Sequence, residues 1–217
     1  MVKADLHVHS RYSAHPSEWF LPHIGSREAY SDPETIYRTL KNQGMDYVTI
    51  TDHNAVDGVL RLRQAHPEDV FTGVELTAYF PEDGCKVHVI AYGFEPVHFE
   101  KMDAVRTDIY ALRDYLKKND IACSVAHGTY SVNGRLTLEH CEKLILLFDV
   151  FEGLNASRNR FNNNTWRQVL TTLSPAVIDK LYEKHHIEPF SDTPWLKGFT
   201  AGSDDHGGIF VGKGYTI

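Results

Sequence analysis

Residues 3–10 read KADLHVHS, a short run in which apolar and polar side chains alternate and which ends in two histidines two positions apart. Alternation of this kind marks a half-buried strand, and side chains at i and i+2 of a strand share a face, so His7 and His9 project together. Two imidazoles on one face can share one metal ion. Taken alone, the pair is equally what an ordinary half-exposed strand carries, so its meaning depends on the rest of the chain.

Outward from that stretch the same grammar repeats. Further strands are expected at 46–51 (DYVTIT), 70–75 (VFTGVE), 86–93 (KVHVIAYG), 121–126 (IACSVA), 148–154 (FDVFEGL) and 199–203 (FTAGS). Amphipathic helical patterns lie between most of them, over 33–43, 55–65, 98–118, 137–147, 161–172 and 175–186. The first has Asp32 as N-cap, Pro33 in its first turn and Gly44 as its stop. The nearest thing to a linker is the asparagine-rich run NRFNNNTW at 159–166. Strands alternating with helices predict an α/β fold of parallel strands, and seven of them suggest a closed, TIM-like (βα)7 barrel. Nearly every strand ends in or just before His, Asp or Glu, in HVH, TDHN, GVE, AHG, EGLN and SDDH, the end at which barrel enzymes place their chemistry.

The bulk numbers narrow the partners. A formal charge of −7, from 22 basic and 29 acidic residues with no basic run, argues against a stable nucleic-acid complex. Three cysteines without C-x-x-C spacing indicate neither a disulfide framework nor a thiolate zinc site. No apolar run reaches a membrane span, and strand-like sequence begins too early for a secretory leader, so a cytoplasmic protein of one domain, residues 1–217, is expected.

Histidine is the anomaly, with 13 copies. His7, His9, His15, His53, His88 and His127 fall on or near strands, and Asp204 pairs with His206 by the same i, i+2 rule while Asp205 turns away. Together with Glu75 these make nine candidate ligands. A catalytic zinc keeps three protein ligands and an open position, so nine suit two or three ions, with Glu75 shared. Imidazole with carboxylate and no thiolate favours zinc, manganese or iron. His23, His66, His98, His140, His185 and His186 fit solvated or packing roles.

DLHVHS, TDHN, the glutamate after a short strand, VHVI, AHG and SDDH, in this order over positions 5–206, resemble the motif set of the PHP family, named for polymerase and histidinol phosphatase. The resemblance implies a distorted seven-stranded barrel, with a two- or three-metal phosphoesterase site at the C-terminal ends of the strands. It implies that His7, His9, Glu75 and Asp204 hold one ion, Glu75, His88 and His127 a second, and His15, His53 and His206 a third. Glu75, Asp204 and His206 then stand at the reacting centre. Where the family often has proline after the fifth-strand histidine, this chain has Gly128.

Several metals together lower the pKa of a bridging water, whose hydroxide is the nucleophile on phosphorus. Arg158 and Arg160 after the sixth strand, with Arg11 and then Arg135 in reserve, are the candidate phosphate-binding cations. A small phosphorylated substrate is expected: a sugar phosphate, a nucleotide or a short oligonucleotide. The 155–198 segment is expected to cap the mouth, and the chain to be part of a longer protein with a further, glycosyltransferase-type module. Two other readings are an amidohydrolase acting on C–N bonds, which usually recruits a bridging lysine, and a metal-stabilised regulatory module without activity.

Overall fold

A computed structural model describes residues 1–13 and 29–217. Five of the seven expected strands form ladders: β1 (Gly73–Tyr79), β2 (Lys86–Tyr92), β3 (Ala122–Val125), β4 (Val150–Asn155) and β5 (Gly198–Gly202), side by side in that order. The other two segments, 3–8 and 46–51, contribute only isolated bridges, Ala4 with Thr216, Val8 with Asp205 and Val48 with Val70, joined by His53 with Glu75 just beyond. Single backbone bonds also tie them in, from Leu6 N to Ala201 O and from Thr51 N to Val8 O. The sheet is therefore open, not the closed seven-stranded barrel expected.

Nor are its strands all parallel. β3, β4 and β5 run parallel, whereas β2 is antiparallel to both β1 and β3. The reason is the connection: β1 and β2 are joined by six residues, Phe80 to Cys85, with Pro81 and Gly84 among them. A parallel pair needs a crossover of a dozen or more residues, so a link this short can only close a hairpin. It does so with Gly84 N donating to Phe80 O and Phe80 N to Cys85 O.

Among the described residues seven helices pack around the sheet: α1 (Pro33–Asn42), α2 (Asp57–Ala65), α3 (Pro96–Val105), α4 (Ile109–Lys118), α5 (Leu138–Leu147), α6 (Arg160–Thr171) and α7 (Pro175–His185). α1 starts as its sequence dictates, with the Asp32 side chain accepting from Glu34 N, and it buries Ile36 and Leu40. The single helix expected over 98–118 is two. Asp108 interrupts it because its carboxylate accepts from Tyr110 N and Ala111 N and so caps a fresh helix. The asparagine-rich run is no linker: Asn159 caps α6 by accepting from Phe161 N, and the following residues form its first turns. α6 packs on β4 and α7 on α5, with Trp166, Leu170 and Ile178 joining one core that includes Leu76, Val89, Leu144 and Phe151. Among the described residues no helix is long and apolar enough to cross a membrane.

Candidate metal centre

The ends of β3, β4 and β5, the first half of β1 and β2, and the segments 5–10 and 51–54 meet in one buried patch. The C-terminal-end rule holds for His127 and Asp204, which follow β3 and β5, and breaks at the hairpin. There Glu75 and His88 are each the third residue of their strand. The antiparallel turn brings them together regardless.

Glu75 is fully buried and sits among five histidines. Its Oε2 lies 2.9 Å from His53 Nδ1, 3.2 Å from His9 Nε2 and 3.4 Å from His7 Nε2. Its Oε1 lies 2.8 Å from His88 Nδ1 and 3.2 Å from His127 Nε2. None of these approaches has hydrogen-bond geometry, and among the described residues both carboxylate oxygens and His88 Nδ1 are buried without a hydrogen-bond partner. A native fold does not leave a buried carboxylate orphaned among donors without cause. Asp204 faces Glu75 across the patch, its Oδ1 3.4 Å from His7 Nε2 and 3.5 Å from His9 Nε2. The rings of His53 and His206 stack on His9, with centroids 4.5 and 4.1 Å away.

These separations suit shared ions. Nitrogen ligands about 2.0–2.1 Å from a tetrahedral zinc stand roughly 3.3 Å from one another, which is the spacing seen here. Four triads have donor atoms within 4.8 Å of each other: His9, His53 and His206; His7, His127 and Asp204; His7, His9 and Glu75; and His53, Glu75 and His88. Eight of the nine candidate ligands are thus brought together. The ninth, His15, lies outside the described residues, as does His23.

Without an ion the charges compensate one another. Burial works against ionisation of Glu75, but His88, His53 and His7 outweigh it and hold the carboxyl well below its usual range. Burial likewise opposes charge on His7, yet Asp204, Glu75 and Glu152 raise its pKa well above the ordinary value. His9 is raised to about 9, Asp204 and Glu75 overcoming its burial. For His53, His88 and His206 burial wins, and His206 is pushed down to about 3. The patch holds a mixture of charged and neutral imidazoles around two carboxylates, which is the donor set a divalent ion needs once protons leave.

A second ring of residues, not singled out in the sequence, holds the first in place. Glu152 accepts from His127 N at 2.8 Å and from Asn155 Nδ2 at 2.9 Å, and its other oxygen meets His7 Nδ1 at 2.8 Å. Asn155 Nδ2 also reaches Asp204 Oδ2. Asp5 accepts from the backbone of His7, Ser203 and Gly212, and Asp52 from both N and Oγ of Ser10. Burial raises both acids to about 6. The available signals were the EGLN strand end for Glu152 and the acidic partners within DLHVH and TDHN. Asp205 does face away and grips the backbone of Gly208, Ile209 and Phe210. Gly202 must be glycine, because a Cβ there would overlap the backbone and Cβ of His7.

The arginines separate by place. Arg158 Nε bonds Asp204 Oδ2 at 3.1 Å, and its guanidinium lies 3.9 Å from the Tyr130 ring centre. Two cavities share it: one of about 240 Å³ beside His127 and Glu152, and one of about 300 Å³ beside Asp204 and His206. Arg11 is paired with Asp32 at 2.9 Å. Arg160 is the exposed first residue of α6, and Arg135 bonds the hairpin turn at Asp83 O.

No family model matches the chain. Over 78 residues it is 35% identical to an uncharacterized protein of Methanocaldococcus jannaschii, a match that spans 35% of this chain and 44% of that protein. Among solved structures, an inferred metal-dependent phosphoesterase of Bifidobacterium adolescentis superposes with a TM-score of 0.55 at 15% identity, covering 94% of this chain and 87% of the other. An amidohydrolase of Chromobacterium violaceum, bound to sulfate without metal, gives 0.56 at 14% identity over the same shares. A two-domain protein of Bacteroides vulgatus with a predicted PHP-like metal-dependent phosphoesterase gives 0.54 at 16%, covering 96% of this chain and 53% of that one. Superposition over nearly the whole chain at such low identity shows the fold alone, one shared with structures named as metal-dependent phosphoesterases, PHP-like in one case, and as an amidohydrolase.

Proposed function

We propose that this chain hydrolyses phosphate esters with two or three divalent ions, zinc, manganese or iron, held around Glu75. The observation that carries the reading is the Glu75 carboxylate itself: fully buried, within 2.8–3.4 Å of five imidazole nitrogens, and hydrogen-bonded to none of them among the described residues. In this reading His7, His9, Glu75 and Asp204 hold one ion and Glu75, His88 and His127 a second. His53 and His206 serve a third, beside His9. When bound, such ions ionise a water for attack on phosphorus and neutralise the phosphoryl oxygens. The chain's own part is to orient. Glu152 and Asn155 fix His7, His127 and Asp204, and Arg158, at the meeting of the two cavities, supplies the cation that binds the phosphoryl group. A small phosphorylated compound fits these cavities better than a duplex.

Every ion-pair partner of Glu75 among the described residues is a histidine, with no lysine in the bridge position that amidohydrolases usually use. Metal analysis of the purified chain, combined with phosphomonoester, phosphodiester and cyclic-amide substrates, tests the proposal. Two or more equivalents with phosphoester turnover are expected. One equivalent or fewer under metal-replete conditions overturns the multinuclear site. Amide turnover alone selects the C–N hydrolase, and folded, metal-replete protein inert to all three selects the regulatory module.

A further inference from the structure

The asparagine-rich run faces the candidate centre. On α6, Asn162 and Trp166 are four residues apart and so share a helix face with Asn163, and all three line the 240 Å³ cavity together with His127 and Arg158. The cavity is smaller than the roughly 300–1,000 Å³ of pockets that take drug-sized ligands. Its lining has no acidic or basic side chain apart from Arg158, His127 and Glu152.

Trp166 is 94% buried within it, and among the described residues its Nε1 has no hydrogen-bond partner. A buried indole N–H normally finds an acceptor. Its position depends on Gly128, immediately after His127: a Cβ at 128 would stand 2.8 Å from Nε1 and 3.0 Å from Cε2. Glycine here lets the indole slide beneath the histidine loop, so this part of the pocket is a property of this chain's own residues.

The aromatic groups offer no platform for a flat ring. The guanidinium of Arg158 lies 3.9 Å from the centre of the Tyr130 ring, and Trp166 shows the cavity little of its surface. A nucleobase needs an open aromatic face to stack on. What the cavity does offer is polar side chains: the amide of Asn162, the amide oxygen of Asn163, whose Nδ2 is held by Asn155 O, and the hydroxyl oxygen of Ser157, whose proton is donated to the backbone at Ser203 and Asp204.

We infer that the cavity between Trp166, Asn162 and Tyr130 receives the non-phosphoryl part of the substrate and selects a compact polyhydroxylated group, a sugar or polyol, over a nucleoside or an aryl group. The inference rests on the phosphoesterase reading for the orientation of the ligand, with the phosphoryl group at Arg158 and the metal centre. Ligand hydroxyls can donate to the oxygens of Asn163 and Ser157 and pair with the Asn162 amide, whereas a ligand without them covers these polar groups and leaves them unpaired.

Calorimetric titration of the manganese-loaded full chain separates the possibilities. The probes are three phosphonates whose P–C bond is not hydrolysed: the isosteric analogue of a pentose 5-phosphate, benzylphosphonate, and the analogue of a nucleoside 5′-phosphate. The pentose analogue is expected to bind at least tenfold more tightly than either of the others. Asn162→Ala, at the exposed edge of the cavity, and Trp166→Phe are each expected to cut that ratio at least fivefold. Equal affinities, tighter binding of the benzyl or nucleoside analogue, or no binding of any probe overturns the inference. So does a wild-type ratio in a folded Asn162→Ala variant, which holds even if Trp166→Phe does not fold. A phosphoester panel run in parallel keeps the two readings apart. Pentose preference without any turnover rejects the hydrolase and retains the pocket, and turnover without preference does the reverse.

Discussion

Exchanging Glu152 for glutamine removes one charge and changes no volume, yet it disturbs both sides of the candidate centre at once. The carboxylate is 3% exposed and serves three donors: His7 Nδ1 at one oxygen, His127 N and Asn155 Nδ2 at the other. With an ion on His7 Nε2, the nitrogen beside Glu75 and Asp204, the ring would keep its proton on Nδ1 and donate it to Glu152. A glutamine has one acceptor oxygen. If that oxygen stays with His127 and Asn155, the new amide N–H₂ meets His7 Nδ1, which favours the tautomer with the proton on Nε2, where a metal would bind. If it turns to His7, two buried donors face an amide donor instead. A buried donor left unsatisfied costs about 1–3 kcal/mol, and loss of such an outer partner typically lowers metal affinity about 10–100-fold. Glu152→Gln should therefore weaken metal binding by one to two orders of magnitude, read by competition against a chromophoric chelator, with wild-type metal stoichiometry recovered at saturating metal. An affinity within threefold of wild type in a folded variant would refute the reasoning.

Three further outcomes are expected. Gly202→Ala should destabilise the chain by about 1–3 kcal/mol, the usual cost of overpacking, and release metal with it, since the new methyl group displaces His7; an unchanged denaturation midpoint contradicts this. His7 and His9 have raised pKa values, His9 about 9, so well above pH 6.5, where the lowered His53, His88 and His206 are neutral folded or unfolded, the folded metal-free chain keeps protons on these two that the unfolded one has lost. The stability they contribute is complete below pH 6.5 and is lost as pH rises through the folded values. Chelator-treated protein should melt at progressively lower temperature from pH 6.5 to 9, and metal-loaded protein should not; a rising melting temperature in the chelated sample argues the other way. Arg158→Ala should raise KM for a phosphoester several-fold with less effect on kcat, because a cation that holds phosphate in ground and transition state alike acts on binding. Arg158→Lys should not restore it, since the contacts with Asp204 and Tyr130 use a planar guanidinium; full recovery in the lysine variant would show that charge alone suffices.

That His7 lies with His9 and Asp204 with His206 could be read from their spacing, although neither pair sits in a strand: 3–8 has only isolated bridges, and Asp204, with φ of 51°, lies beyond β5. Strand direction could not. KVHVIAYG alternates in the same way whether it runs with or against its neighbour, and only the short Phe80–Cys85 link, with its proline and glycine, betrays the hairpin. Segments 3–8 and 46–51 have strand-like composition but share only single bridges, a matter of pairing partners that local pattern does not encode. Asp5, Asp52 and Glu152 escaped notice for a different reason. A carboxylate that accepts from buried backbone and imidazole looks, in sequence, like any polar residue at a strand edge. Their burial follows from tertiary closure, in which Asp5 reaches residues 203 and 212.

That closure bears on the order in which the molecule can assemble. The last of the carboxylates around His7 and His9 is Asp204, which comes from roughly two hundred residues later in the chain, beyond β5. Contacts of such long range carry the largest loop-closure cost and belong to the late stages of folding. A divalent ion held there, as proposed, would act as a clasp between the two ends of the fold, so that its release would loosen the molecule as a whole instead of one loop. On the proposed function, the supply of metal would then bear on the stability of the folded chain as well as on its reactivity.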